Sequence, residues 1–252
     1  MAKRFKAILL GNYSTFRSDI LIAKYIHIAS SWRNTHTSMK KLFSILTILS
    51  VALVAADAYE QGTIDNCASI IRDFRTMPEK SIPSSVLRRA KGLAIMSVVK
   101  AGFIFSGKGG KGVVVARTAH GWSGPSFIAT GGAGWGAQIG AEVTDFVFVL
   151  NNNAAVRTFS RGGNVTLGVD ASVAAGPVGR DAQAGVAPSA AIYSYSRSKG
   201  LFVGAAVEGA VLVTQKEENA HYYGRPVSAS DILHGRVAPP PGAARLRAAL
   251  GR

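Results

Sequence analysis

Apolar positions recur along this chain with two different periods. Ile64, Cys67, Ile71 and Phe74 stand at helical spacing, while Asp65, Asn66, Ser69, Arg72 and Asp73 fill the opposite side. That spacing predicts an amphipathic helix stopped by Pro78. Ser84 or Ser85 is a candidate cap for a short helix over Val86–Lys91, with Gly92 at its C-terminal end. The pattern then changes. Gly92 to Phe105 is nearly continuous apolar sequence, which predicts a strand buried on both faces. Val113–Arg117 reads as a further strand, and Ile139–Leu150 and Leu201–Val213 as long ones, the last with Gly204 and Glu208 on one face. Ala119-His120-Gly121 and Gly162-Gly163-Asn164 are turn signals. Asn152–Arg161 is expected to be helical with Phe159 turned inward, and Ser228–His234 forms another short helix ended by Gly235. Pro239–Pro241 breaks the chain before a basic tail, Ala243–Arg252. The segments 136–143 and 204–211 look alike, which two strands under one packing rule explain without an internal repeat.

Composition narrows the function classes. The 252 residues are 48% hydrophobic and 17% charged, enough for a sizeable core and too apolar for global disorder. The formal net charge of +15 favours anionic partners: an acidic membrane surface, a phosphoinositide or an acidic protein such as actin. No nucleic-acid motif accompanies that charge, so nucleic acid is not expected. A single cysteine, Cys67, excludes an intramolecular disulfide.

Residues 1–58 differ in kind from the rest. Up to Met39 the one acid is Asp19 among many Lys, Arg, Ser and Thr. From Met39 the pattern is that of a secretory signal: Lys40 and Lys41, an apolar stretch Leu42–Ala56, and Ala56-Asp57-Ala58 with cleavage expected before Tyr59. The expected location is peripheral to a membrane or cytoplasmic, or secreted or in the cell envelope if Met39 is the start and cleavage precedes Tyr59. The expected divisions are a leader (1–58), a main domain (59–236), and a Pro-rich break with its tail (237–252).

Candidate chemistry is sparse. Between Arg88 and Gly112 there is no acid, His or Cys. Gly107–Gly112 (GKGGKG) looks like a phosphate loop but lacks the Lys-Ser or Lys-Thr ending, which leaves a simple anion nest or a solvated hairpin turn. His27, His36, His120, His221 and His234 have no metal-ligand spacing, and Ser123 lacks the glycine of a nucleophile elbow. Glu142 and Asp145 are three apart, so a strand points them to opposite faces. A pairing of Glu142 with Glu208 is the one remaining carboxylate combination. No catalytic residue, metal or cofactor is expected.

Several ordered motifs resemble the SYLF domain, the lipid- and actin-binding domain of yeast-type endocytic proteins. They include Arg89–Ile95, Lys100–Phe103, Gly112–Arg117, Trp122–Ser126, Glu142–Val147, Ala175–Arg180, Ser194–Phe202 and Val207–Gly209. The resemblance runs from about Ser69 to Leu250. It implies an α+β fold: a β-rich antiparallel sheet or barrel-like core with short flanking helices, here behind an N-terminal hydrophobic leader. It implies no catalysis, binding to phosphoinositides or other anionic phospholipids and, in endocytic members, binding and bundling of actin filaments. Two features depart from the family. The first helix carries Glu60, Asp65 and Asp73 where relatives are often basic, and no Src-homology-3 segment is read here. The expected anion-binding residues are Arg88, Arg89, Lys91, Lys108 and Lys111, which cluster in sequence around the Gly-rich segment and the short helix before it.

Overall fold

The computed structural model describes residues 59–77, 81–102, 105–135, 140–177, 190–199 and 210–251. The leader, Pro78 and most of the expected strand Leu201–Val213 lie outside the described residues, as do parts of both look-alike segments.

Helix α1 covers residues 59–76 and buries Ile64, Cys67, Ile71 and Phe74, the expected stripe, joined by Ala68 and Ile70. Helix α2, Ser84–Arg89, starts earlier than the serine-cap reading placed it. Pro83 is the N-cap, and its carbonyl accepts from Val86 and Leu87. Proline is already fixed in the φ needed at a helix entry, so the serines sit inside the first turn. Ser84 Oγ accepts from Arg88 instead. Gly92 is no helix cap: it opens β1, where a Cβ would meet the Val115 carbonyl oxygen at 2.9 Å.

The strands are β1 (Gly92–Gly102), β2 (Phe105–Thr118), β3 (Gly121–Trp122), β4 (Ser126–Trp135), β5 (Gly140–Leu150), β6 (Asn164–Thr166), β7 (Val173–Ala175), β8 (Ile192–Lys199) and β9 (Val211–Thr214). Their order in the sheet is β6-β9-β4-β2-β1-β5-β8-β7, with β3 paired to β2. All named pairs are antiparallel except β7–β8. The expected turns at Ala119–His120 and Gly162–Gly163 are present, the two glycines at φ 69 and 103.

The two ends of this strand path are joined by a short piece of chain. A flat path of eight strands would separate β6 from β7 by about 34 Å. The link from Thr166 to Val173 reaches at most about 25 Å when fully extended, and Leu167 bridges to Ala171 within it. The sheet therefore curls. Its concave side holds Ala94, Met96, Val114, Ile128, Phe148, Leu212 and Val165 around helix α3 (Asn153–Ser160), which inserts Val156 and Phe159. Asn152 caps α3 by accepting from the Ala155 N–H. The convex side carries Leu93, Ile95, Val113, Val115, Val147 and Val149. Helices α1 and α2 cover it, together with a C-terminal helix described below.

After β9 come α4 (Lys216–Tyr222), α5 (Ala229–Leu233), a 3-10 turn Pro241–Ala243 and α6 (Ala244–Leu250). The stretch read as a basic tail is thus helical, and Leu246, Ala249 and Leu250 join the same core as Ile64 and Phe74. Arg197 of β8 fixes α1 to the sheet, reaching Asp73 at 2.9 Å and Asp145 at 2.7 Å. Burial works against its charge, but the hydrogen bonds it donates to Asp145 and Asp73 outweigh that and hold its pKa above the usual value.

Strand β1 departs from the uniformly buried strand read from its sequence. Leu93 to Met96 are buried on both faces, but Val99 is 47% exposed and Ala101 is exposed. Beyond Ser97 the sheet extends past the described helices.

Candidate functional site

The basic residues expected to act together fall into two groups. Arg88 and Arg89 end α2, and Lys91 leads into β1. The Lys91 carbonyl accepts from the Arg117 N–H at 2.8 Å, which places Lys91 beside Arg117 of β2. Together Arg88, Arg89, Ala90, Lys91 and Arg117 line an open hollow of about 520 Å³.

Lys108 and Lys111 are elsewhere. The Gly-rich segment is neither a hairpin turn nor a loop: it lies inside β2, paired on both sides, with Lys108 opposite Lys100 and Gly132, and Lys111 opposite Ser97 and Ala129. Gly92 pairs with Ala116, so Lys108 sits eight residues along the strand from that end, about 26 Å away. Being three apart, Lys108 and Lys111 point to opposite faces. Lys111 is on the convex side, its Nζ 3.5 Å from the centre of the Tyr59 ring. It also bears on Glu218, whose pKa burial raises and Lys111 draws down. Lys108 is exposed, and its side chain lies against Gly132. An anion nest at the glycines is ruled out as read, because a paired strand has its N–H groups committed to the ladder.

Three contributors to the first group were not read from the sequence. Arg117 stacks over the Trp122 ring at 4.2 Å, and the two residues are partners across the Ala119–His120 turn. Arg247 of α6 donates from Nε to the Trp122 carbonyl at 3.1 Å. With His120, Trp122 and Arg247 line a second hollow of about 610 Å³. The turn signal pairs Arg117 with Trp122 in principle, whereas nothing in the sequence points to Arg247.

The electrostatics of this end are one-sided. Among the described residues, none of Arg88, Arg89, Lys91, Arg117 and Arg247 has an acidic partner; the ion pairs use Arg197, His221, Arg236 and Arg245. Arg117 Nε and Trp122 Nε1 are buried without a hydrogen-bond partner. Trp122 itself is 4% exposed.

Three of the groups weighed for catalysis, Ser123, Glu142 and Asp145, make hydrogen bonds within the fold. Ser123 is buried, accepts from the Ala116 N–H at 3.0 Å and donates to the Gly124 carbonyl at 2.8 Å. Asp145 serves Arg197, while Glu142 accepts from Thr144 on the other face of β5. Glu208, its remote partner in the sequence reading, lies outside the described residues. No helix among the described residues is long and apolar enough to cross a membrane.

Comparison with known proteins matches residues 131–252 to the family described as "Ysc84: Las17-binding protein actin regulator". LAS seventeen-binding protein 3 of Saccharomyces cerevisiae is 52% identical over 168 residues, 65% of this chain and 37% of its own length. Protein YSC84 of the same yeast is 52% identical over 170 residues, 66% of this chain and 36% of its own. The human SH3 domain-containing YSC84-like protein 1 is 48% identical over 176 residues, 67% of this chain and 52% of its own. The match thus spans about a third to a half of these relatives. The family match and a common sequence at this level together give the conclusion that the chain belongs to the SYLF (Ysc84) family.

Proposed function

We propose that this domain is a non-catalytic actin-regulating module that meets the acidic surface of a filament with its basic end. The observation that carries the reading is the group Arg88, Arg89, Lys91, Arg117 and Arg247, exposed or half-buried and without acidic partners among the described residues. Unneutralised cations on one surface steer and hold an acidic partner, with a strength that falls as salt rises. The family description as an actin regulator supports the same reading. Co-sedimentation with filaments tests it. Arg88→Glu combined with Arg89→Glu lowers filament affinity at least fivefold, whereas Lys108→Glu, about 26 Å away, changes it less than twofold. Equal losses from both would overturn this placement of the contact.

A second reading, an anionic-lipid or phosphoinositide module, draws on the hollow itself. A concave site lined by Arg88, Arg89, Lys91 and Arg117 suits a compact headgroup. Vesicles that differ only in phosphoinositide separate the two, because a filament makes no such distinction. In either reading the domain works in the cytoplasm, free or peripheral to a membrane. Mass spectrometry of the mature N-terminus checks this: the expected chain keeps residues upstream of Tyr59 inside the cell. A secreted chain starting at Tyr59 would end the filament reading.

A further inference from the structure

We propose that the first turn of α1 docks through a proton-sensitive joint, held firmly in acid and loosened as pH rises, with His221 as its sensor. The joint lies where α1 meets α4 and β2. Glu60, in that first turn, is 4% exposed, and its Oε1 lies 3.3 Å from His221 Nδ1 of α4. Its Oε2 is buried without a hydrogen-bond partner, as is the hydroxyl of Tyr222, which follows His221 in α4. Buried polar groups in a folded protein nearly always find a partner, and a carboxylate oxygen without one is costly to keep dry. Lys111 of β2 reaches the same place, its Nζ 3.5 Å from the centre of the Tyr59 ring.

The charges facing this joint are out of balance. Asp65 of α1 is matched by Arg245 of α6 at 3.2 Å. Lys216 and Glu217, at the start of α4, line a separate hollow with Arg161. Strand β4 brings the uncharged Phe127, and the 3-10 turn brings the Gly242 carbonyl, which accepts from Gln61 at 3.2 Å. Burial raises the phenols of Tyr222 and Tyr223, which stay neutral. That leaves Glu60 and Glu218 against Lys111. Histidine is the side chain that changes charge between pH 5 and 8. A proton on the His221 ring adds a positive charge 3.3 Å from Glu60. A proton on Glu218 removes a negative one. Burial raises the Glu218 pKa, Lys111 draws it down, and Glu60 and Glu217 raise it again. A carboxyl held above its ordinary value contributes in acid and loses that contribution as pH rises through its folded value. Both protons therefore act in the same direction. Helix α4 itself is fixed, because buried Asn219 accepts from the Phe127 N–H at 2.8 Å. The far end of α1 is pinned through Asp73 to Arg197. The first turn is the part that gives, and its lifting wets Glu60 and takes Tyr59 off Lys111.

Amide hydrogen exchange on the full chain at about pH 5.5 and about pH 8, corrected for the intrinsic rate, tests the joint. The amides of Thr63, Ile64 and Asp65, which in an α-helix bond to the first-turn carbonyls, are expected to be at least fivefold better protected at the lower pH. Those of Ile70 and Ile71, farther along α1, change less than twofold. In His221→Gln the difference at Thr63–Asp65 falls below twofold, while His234→Gln, exposed just after α5, keeps it. Glu60→Gln, which preserves the shape of the side chain, abolishes the difference in the same way and serves where His221→Gln does not fold. Glu218→Gln removes the competing charge and raises protection at the higher pH at least twofold, a gain that a merely structural glutamate would not give. Equal protection at both pH values in the unaltered chain, a pH difference that survives His221→Gln, or looser exchange in Glu218→Gln would each overturn the joint.

Discussion

At Gly92 the central strand enters a part of the sheet packed on both faces, with α1 and α2 outside and α3 within the curl. Toward Gly102 the same strand has run past those helices, and its residues Val99, Lys100 and Ala101 pair with Gly109, Lys108 and Gly107 of β2, all three exposed. One ladder thus passes from core to surface within a single element. The first end gathers its cations around a stack and two hollows, while the second spreads them over opposite faces. Charge near the Gly-rich segment is therefore not charge brought to one place.

The largest test of that contrast is a truncation at each end. Phe159→Ala inside the curl is expected to cost about 3–5 kcal/mol, the usual loss for a fully buried aromatic, since Phe159 is 2% exposed. Val99→Ala, at 47% exposure, stays within about 0.5 kcal/mol. Denaturant titration of both variants decides it, and similar losses would mean that the far end is also core.

Alkali probes the packed end alone. Burial raises the Cys67 thiol from 9.0 to about 12, and the Tyr222 phenol from 10.0 to about 12. Both groups are neutral when protonated, and both ionise more readily in the unfolded chain. Their contribution is complete below pH 9 and is lost as pH rises toward 12. Stability measured against pH should fall by a few kcal/mol over that window. Cys67→Ala should remove the earliest part of the fall, and an unchanged profile would contradict the burial of the thiol.

Glycines of one short segment give the finest test. A Cβ at Gly112 would land on the Ile95 carbonyl oxygen and on Met96, while one at Gly109 meets nothing within 4 Å. Gly112→Ala should cost about 1–3 kcal/mol, and Gly109→Ala should be neutral or stabilise by up to about 1 kcal/mol. Thermal unfolding of the two variants reads the difference.

Much of the fold was legible because it follows local rules. The stripe Ile64, Cys67, Ile71 and Phe74 marked α1, Asn152 and Phe159 marked α3, and Gly162 and Gly163 marked the turn to β6. The Gly-rich stretch misled for a physical reason. Glycine usually breaks strands, yet Gly110 and Gly112 sit where β1 approaches so closely that a side chain will not fit: a Cβ on Gly110 would meet Val98 at 2.6 Å and the Ser97 oxygen at 2.8 Å. Read as a loop, the segment escapes the alternation that separates Glu142 from Asp145, and Lys108 and Lys111 look like neighbours when the strand sends them to opposite faces. The site was half legible for a different reason. Arg88, Arg89 and Lys91 are neighbours in sequence, whereas Arg247 arrives from α6 by tertiary packing that no local pattern encodes.

The link between Thr166 and Val173 also governs when the domain can form. Strand β6 has its partner in β9, which follows it by some forty-five residues in the chain, and β9 then joins β4 through Thr214 opposite Ile128. The curl stays open on one side until residue 214 has been made, and the convex core waits longer, for Leu246 to reach Ile64. Contacts this distant in sequence slow folding. On the ribosome the apolar interior would stand open while helices α4 to α6 are synthesised, so the nascent chain has its greatest need of chaperone cover before residue 250 has emerged.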